Sequence, residues 1–228
     1  MKRVFIAFLL VILAFNISLA RKRDKAGNIS DGVYTDKEYG FSVEVPDEWD
    51  SSIKKNKYNT RLVLTKKEYD VPLQFEHVPT YTQIPKISVY ADTTSLTLMQ
   101  FIDSLLSDDF KSDQKKDIMA EFKLIAMDFT LKKRSPMGVG DLAGYKISAQ
   151  QKYTIRVESG TGSTKGEMDG AFGGFDVVTD FFGGSIFFAK QGNQIVMLHF
   201  ICEWRFFADL DPVFDEIVKT FKFNEAEG

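Results

Sequence analysis

His199 and Cys202 form the chain's one His-x-x-Cys, and the only other histidine is His77. Imidazole and thiolate are the side chains best suited to hold zinc, or to act as base and nucleophile near neutral pH. Their spacing works against both uses. Both residues lie in a β-rich run, where positions 199 and 202 point to opposite faces. A zinc site takes three or four ligands, and this composition supplies too few soft ones. Cys202 reads as a small buried residue. No Gly-x-Ser-x-Gly elbow is present to present a serine nucleophile.

A second set of candidates lies in residues 159–184, SGTGSTKGEMDGAFGGFDVVTDFFGG, which hold eight of the sixteen glycines. Such glycine density predicts a long loop, with residues 175–182 as a candidate short strand or helix inside it. Ser163-Thr164-Lys165-Gly166 has the residues of a phosphate-binding loop in the wrong order. Glu167, Asp169, Asp176 and Asp180 are hard oxygen donors of the kind calcium takes, without the EF-hand spacing. The plainer reading is a solvated loop, and no cofactor is expected by default. Together with Phe172 and Phe175, these four acids define the candidate interaction loop.

The elements that position these residues follow from periodicity. Tyr39, Phe41, Val43 and Val45 alternate with Ser42 and Glu44, which predicts a half-buried strand. Pro46 stops the ladder, and Trp49 is expected to fold back over the end of the sheet. Residues 61–65 and 87–90 are further strand candidates. Residues 95–110 carry Leu98, Phe101, Ile102, Leu105 and Leu106 at helical spacing, capped by Thr94 or Ser95. Residues 113–122 are a shorter helix candidate. Residues 136–144 read as a turn before a strand at 145–150. Residues 185–190 and 194–202 flank Gln191-Gly192-Asn193 as a hairpin. Asp211-Pro212 opens a closing helix, with Phe214, Ile217, Val218 and Phe221 on its apolar stripe. Paired phenylalanines at 181–182, 187–188 and 206–207, with Phe200, predict a sheet covered on both sides. Helices at intervals between strands give an α+β class: an antiparallel sheet flanked by helices.

The N-terminus bears on location. Lys2 and Arg3 precede an apolar run at 4–15, and Ser18-Leu19-Ala20 places small residues where a signal peptidase cuts. Residues 1–20 therefore read as a signal peptide, 21–33 as a flexible leader, 34–223 as the domain and 224–228 as a tail. The expected location is secreted or periplasmic. Arg21, Lys22, Arg23 and Lys25 oppose translocation, so the alternative is a membrane anchor formed by residues 4–20. Cleavage would remove Lys2 and Arg3 and no acid, taking the net charge from −3 to −5, which argues against a nucleic-acid partner. One cysteine excludes an intrachain disulfide, which a core of this size can do without.

Two patches carry a family resemblance. Tyr39-Gly40-Phe41-Ser42-Val43 with Pro46 and Trp49, and the closing run from Phe214 to Phe223, resemble the PsbP/Mog1-like superfamily. Gly140-Asp141-Leu142-Ala143-Gly144-Tyr145 resembles its central turn and strand more loosely. The resemblance implies an α/β/α sandwich. It also implies a non-catalytic role, since the superfamily includes extrinsic photosystem subunits, a GTPase-binding protein and exported bacterial proteins of unknown role. No photosynthetic role and no metal site is transferred, because fold does not carry function across such a set. The expectation is an exported, non-catalytic domain that binds a protein or envelope component. The alternatives are a hydrolase using the acids of the glycine-rich loop, and an accessory subunit anchored through its N-terminus.

Overall fold

A computed structural model describes residues 24–69, 85–107, 118, 129–158 and 175–224, with the backbone alone for 129, 151–158 and 175–180. Its elements in chain order are β1 (Gly27–Ser30), β2 (Val33–Asp36), β3 (Phe41–Glu44), β4 (Trp49–Ile53), β5 (Thr60–Lys66), β6 (Lys86–Thr93) and α1 (Leu98–Leu106). There follow β7 (Phe129–Val139), β8 (Leu142–Glu158), β9 (Phe175–Gln191), β10 (Gln194–Glu203), α2 (Trp204–Lys219) and β11 (Lys222–Phe223). The strands form a small sheet, β1-β2-β3-β11, and a large one, β4-β5-β6-β10-β9-β8-β7. Every described pairing between strands is antiparallel, so the fold is α+β with mostly antiparallel sheet.

The domain begins earlier than its charged N-terminal sequence predicts. Ala26 is fully buried, and Ser30 pairs with Val33 across Asp31-Gly32. Asp31 (φ 51°) and Gly32 (φ 74°) both take the left-handed conformation that a two-residue hairpin turn demands. Residues 27–33 are thus strand and turn, not leader.

In β3, Phe41 and Val43 are buried as the alternation predicts, and Glu44 is exposed. Ser42 is buried too, because β11 pairs across it and its hydroxyl donates to Asn224 Oδ1 at 3.1 Å. After Pro46 the chain passes from one sheet to the other. The Trp49 amide donates to the Pro46 carbonyl at 3.0 Å, and Trp49 opens β4 with its side chain in the core. It is therefore the first residue of a strand in the large sheet, not a lid over the small one.

Helix α1 starts later than expected. Thr97 is its cap, in a capping box with Gln100, and Phe101, Ile102 and Leu105 are buried. Of the expected helix at 113–122 only Ile118 is described, as helical and buried; the rest lies outside the described residues. Strand β7 runs straight through Pro136, which the sequence had assigned to a turn. The proline is tolerated because β7 is the edge of its sheet and needs no donor on one side. The turn shrinks to Gly140-Asp141.

Strand β9 begins at Phe175, so the candidate element at 175–182 is a strand, and Gly183 and Gly184 belong to the sheet rather than to a loop. A Cβ at Gly183 would collide with the Phe207 ring of α2, and one at Gly144 with the Phe187 ring. These two glycines allow rings to lie close against the strands. Helix α2 begins at Trp204, directly after β10, and carries Pro212 in its interior. The carbonyl deprived of its donor belongs to Ala208, which is exposed.

The core has two parts. Phe187, Leu198 and Phe200 pack with Phe214, Ile217 and Val218 of α2. Ile186, Phe188 and Met197 pack with Phe101, Ile102 and Leu105 of α1. Since residues 187 and 188 alternate along one strand, the two parts of the core lie on opposite faces of β9. Phe181 departs from the expected burial of the paired phenylalanines, being 42% exposed.

Candidate functional site

The residues best equipped for chemistry are sealed in the core. His199 and Cys202 are 2% and 0% exposed. Val196, Leu198, Phe200 and Cys202 join the α2-side core, whereas Ile195 and Met197 join the α1-side core. Alternation along β10 therefore puts His199 on the opposite face from Cys202, as their spacing predicts. Burial pushes the His199 imidazole down to about 3, and Lys86 acts in the same direction. Burial also pushes the Cys202 thiol well up, helped by Asp211 and Glu203. An imidazole with so little affinity for a proton is a weak base, and a thiol held protonated is a poor nucleophile at pH 7.

Among the described residues, two polar clusters are each built around a buried cation. In the first, Arg61 of β5 meets Asp36 of β2, with side chains 1% and 0% exposed. Arg61 Nε donates to Asp36 Oδ2 at 2.8 Å, and Nη2 to Asp36 Oδ1 at 3.3 Å. Nη1 donates to the carbonyls of Asn56 and Tyr58, and Nη2 also to Asn56 Oδ1 at 2.6 Å. Asp36 further accepts from the Tyr34 hydroxyl and the amides of Glu38 and Tyr39. Burial, and then Asp36, hold the Tyr34 hydroxyl protonated. The fork of the guanidinium thus ties the small sheet to the large one.

In the second cluster, Lys146 of β8 lies between Asp211 and Asp215, one turn apart on α2. It meets Asp211 Oδ1 at 2.9 Å and also contacts Asp215. Ser185 donates to Asp211 Oδ1 at 2.6 Å and shares a 2.8 Å hydrogen bond with Ser148. Asp211, read in the sequence as a helix cap, instead helps dock the helix on the sheet.

An open cleft of about 460 Å³ lies between the β7–β8 turn and the junction of α2 with β11. Val139, Leu142 and Phe223 give it apolar walls, while Asp141, Lys219 and Lys222 give it charge. Thr220 ties this corner down: its hydroxyl donates to the Ile217 carbonyl at 2.7 Å and accepts from the Glu44 amide at 3.0 Å.

Of the candidate loop residues, Glu167, Asp169 and Phe172 lie outside the described residues. Phe175, Asp176 and Asp180 fall on β9, in register with Glu158, Val157 and Tyr153. Those three are strand positions, so the loop's donors are split between a strand and the segment before it. No group of three or more His, Cys, Asp or Glu is placed to share a metal among the described residues. The cleft escaped the sequence reading because its walls come from residues 139–142 and 219–223, far apart in the chain. The one local signal was the pair Lys219 and Lys222 bracketing the last apolar position.

No family model matches the chain, and no curated protein matches it. Solved structures of similar shape do exist. The cyanobacterial PsbP of Synechocystis covers 86% of this chain and 96% of its own, at 12% identity and a TM-score of 0.47. The Ran-binding protein Mog1p of Saccharomyces cerevisiae covers 86% and 96%, at 8% identity and 0.43. A Pseudomonas aeruginosa protein of unknown function covers 78% and 88%, at 11% identity and 0.36.

Proposed function

We propose that the chain is an exported, non-catalytic domain of α/β/α sandwich architecture that binds a protein of the cell envelope or the extracellular space. The observation that carries this reading is the state of His199 and Cys202. Both are buried and neutral, while an accessible cleft is lined by apolar side chains, two lysines and Asp141. A surface of that kind binds. The export half rests on the anatomy of residues 1–20.

Each half has its own test. Mass spectrometry of the chain recovered from its native compartment should find an N-terminus at Arg21. A chain starting at Met1 overturns export and leaves the anchored accessory subunit in its place. Cross-linking in intact cells, followed by purification through a C-terminal tag, should recover a discrete protein partner in near-stoichiometric amount. Failure to recover one, together with hydrolysis of a test substrate that vanishes on replacing Glu167 and Asp169, would replace binding with the hydrolase reading.

A further inference from the structure

We propose that the cleft between the β7–β8 turn and the α2–β11 junction receives an extended acidic segment of a partner protein, added as a short strand along β11. This rests on the binding role proposed above and names the partner's chemistry.

The backbone supplies the first argument. Both described sheets end at this cleft: β11 is the last strand of the small sheet and β7 the last of the large one. Lys222 pairs with Ser42 of β3, and the Asn224 amide donates to the Gly40 carbonyl at 2.7 Å. In an antiparallel ladder the intervening residue turns its N–H and C=O the other way, so those of Phe223 face the outer edge. An extended segment laid beside them gains main-chain hydrogen bonds by β-augmentation. The cleft, about 460 Å³, falls within the roughly 300–1,000 Å³ of ordinary ligand sites.

Charge supplies the second. Lys219 and Lys222 stand exposed at the rim, against Asp141 as the one acid of the lining. Lys219 also meets Glu216 at 2.6 Å, but with side chains 59% and 71% exposed this is a surface pair of little strength. The C-terminal end of α2 would by itself repel an anion. Its carbonyls at Ile217 and Val218 are already occupied, by the Thr220 amide and hydroxyl and by the Phe221 amide. The apolar walls then suit alternate side chains of the same segment. Acidic and apolar residues at period two are the pattern that fits.

The test is an NMR titration of the isotope-labelled chain with the blocked peptide acetyl-Glu-Val-Glu-Val-Glu-Val-amide. The controls are its Lys/Val counterpart and a fully N-methylated Glu/Val version. Saturable shifts are expected at Gly140, Asp141, Gln191, Lys222 and Phe223. The Lys/Val and N-methylated peptides should each bind at least about tenfold more weakly, as should the Lys219→Glu/Lys222→Glu chain, a loss near 1.4 kcal/mol. An unchanged melting temperature and dispersed spectrum verify that this variant is folded. Absence of saturable shifts, equal binding of both charged peptides, or shifts centred elsewhere overturns the site. If the peptide fails but the variant still recovers the cross-linked partner, this site falls and the binding role stands. If neither chain recovers a partner, the binding role falls.

Discussion

Among the described residues the fold buries two cations, and it treats them differently. Arg61 lies in a closed setting with all five of its N–H donors engaged, and its main partner Asp36 is equally sealed. Lys146 is a point charge, 10% exposed, between two carboxylates that remain 21% and 34% exposed. The guanidinium is planar and directs its bonds; the ammonium is compact and tolerates rearrangement. The first cluster joins two sheets and must hold one geometry. The second seats a helix against a sheet, at an edge where water can still reach the acids. The lesson is that a buried ion pair defines geometry where nothing else can replace its bonds, and only supports packing where water can.

Three outcomes would sharpen or break this contrast. Arg61→Met should cause the largest loss, about 3–5 kcal/mol in chemical denaturation, because Asp36 is left buried and uncompensated. A loss below 1 kcal/mol would remove the distinction between the clusters. Acid should produce the next effect, through a group outside both. The folded-state His199 is depressed from 6.5 to about 3, so the unfolded chain binds the proton first as pH falls. Its stability contribution is complete above about 6.5 and is lost progressively down to about 3. Lowering the pH from 6.5 to 5 should cost about 2 kcal/mol, at about 1.4 kcal/mol per unit. His199→Leu should flatten that slope; an unchanged slope would assign it elsewhere. The smallest effect is expected for Lys146→Met, about 1.5 kcal/mol, since the methionine retains the packing on Phe214 and water can take up Asp211 and Asp215. A cost equal to that of Arg61→Met would show that the second cluster is as rigid as the first.

Much of this was legible in the sequence where a local pattern decides. The alternation at Phe41 and Val43, the stripe Phe214, Ile217 and Val218, and the Gly192-Asn193 hairpin appear where periodicity places them. The α1 start slipped from Thr94 or Ser95 to Thr97, because Gln100 completes the capping box only with the latter. Asp31-Gly32 was a readable hairpin turn hidden by its charged surroundings. Gly183 misled in the other direction: its partner is the ring of Phe207, on a different element, so composition alone assigned it to a loop. Pro212 likewise looked like a helix start, but packing of α2 on β9 and β10 carries the helix through it. The cleft and both ion clusters draw residues from separate strands, and no one-dimensional pattern brings those together.

The pairing of β11 with β3 has a consequence in time. Ser42 and Asn224 are joined across 182 positions of chain. During synthesis the β3 edge therefore waits for a strand made 182 positions later, and a contact that distant slows folding. An edge left open is also a template for wrong pairing.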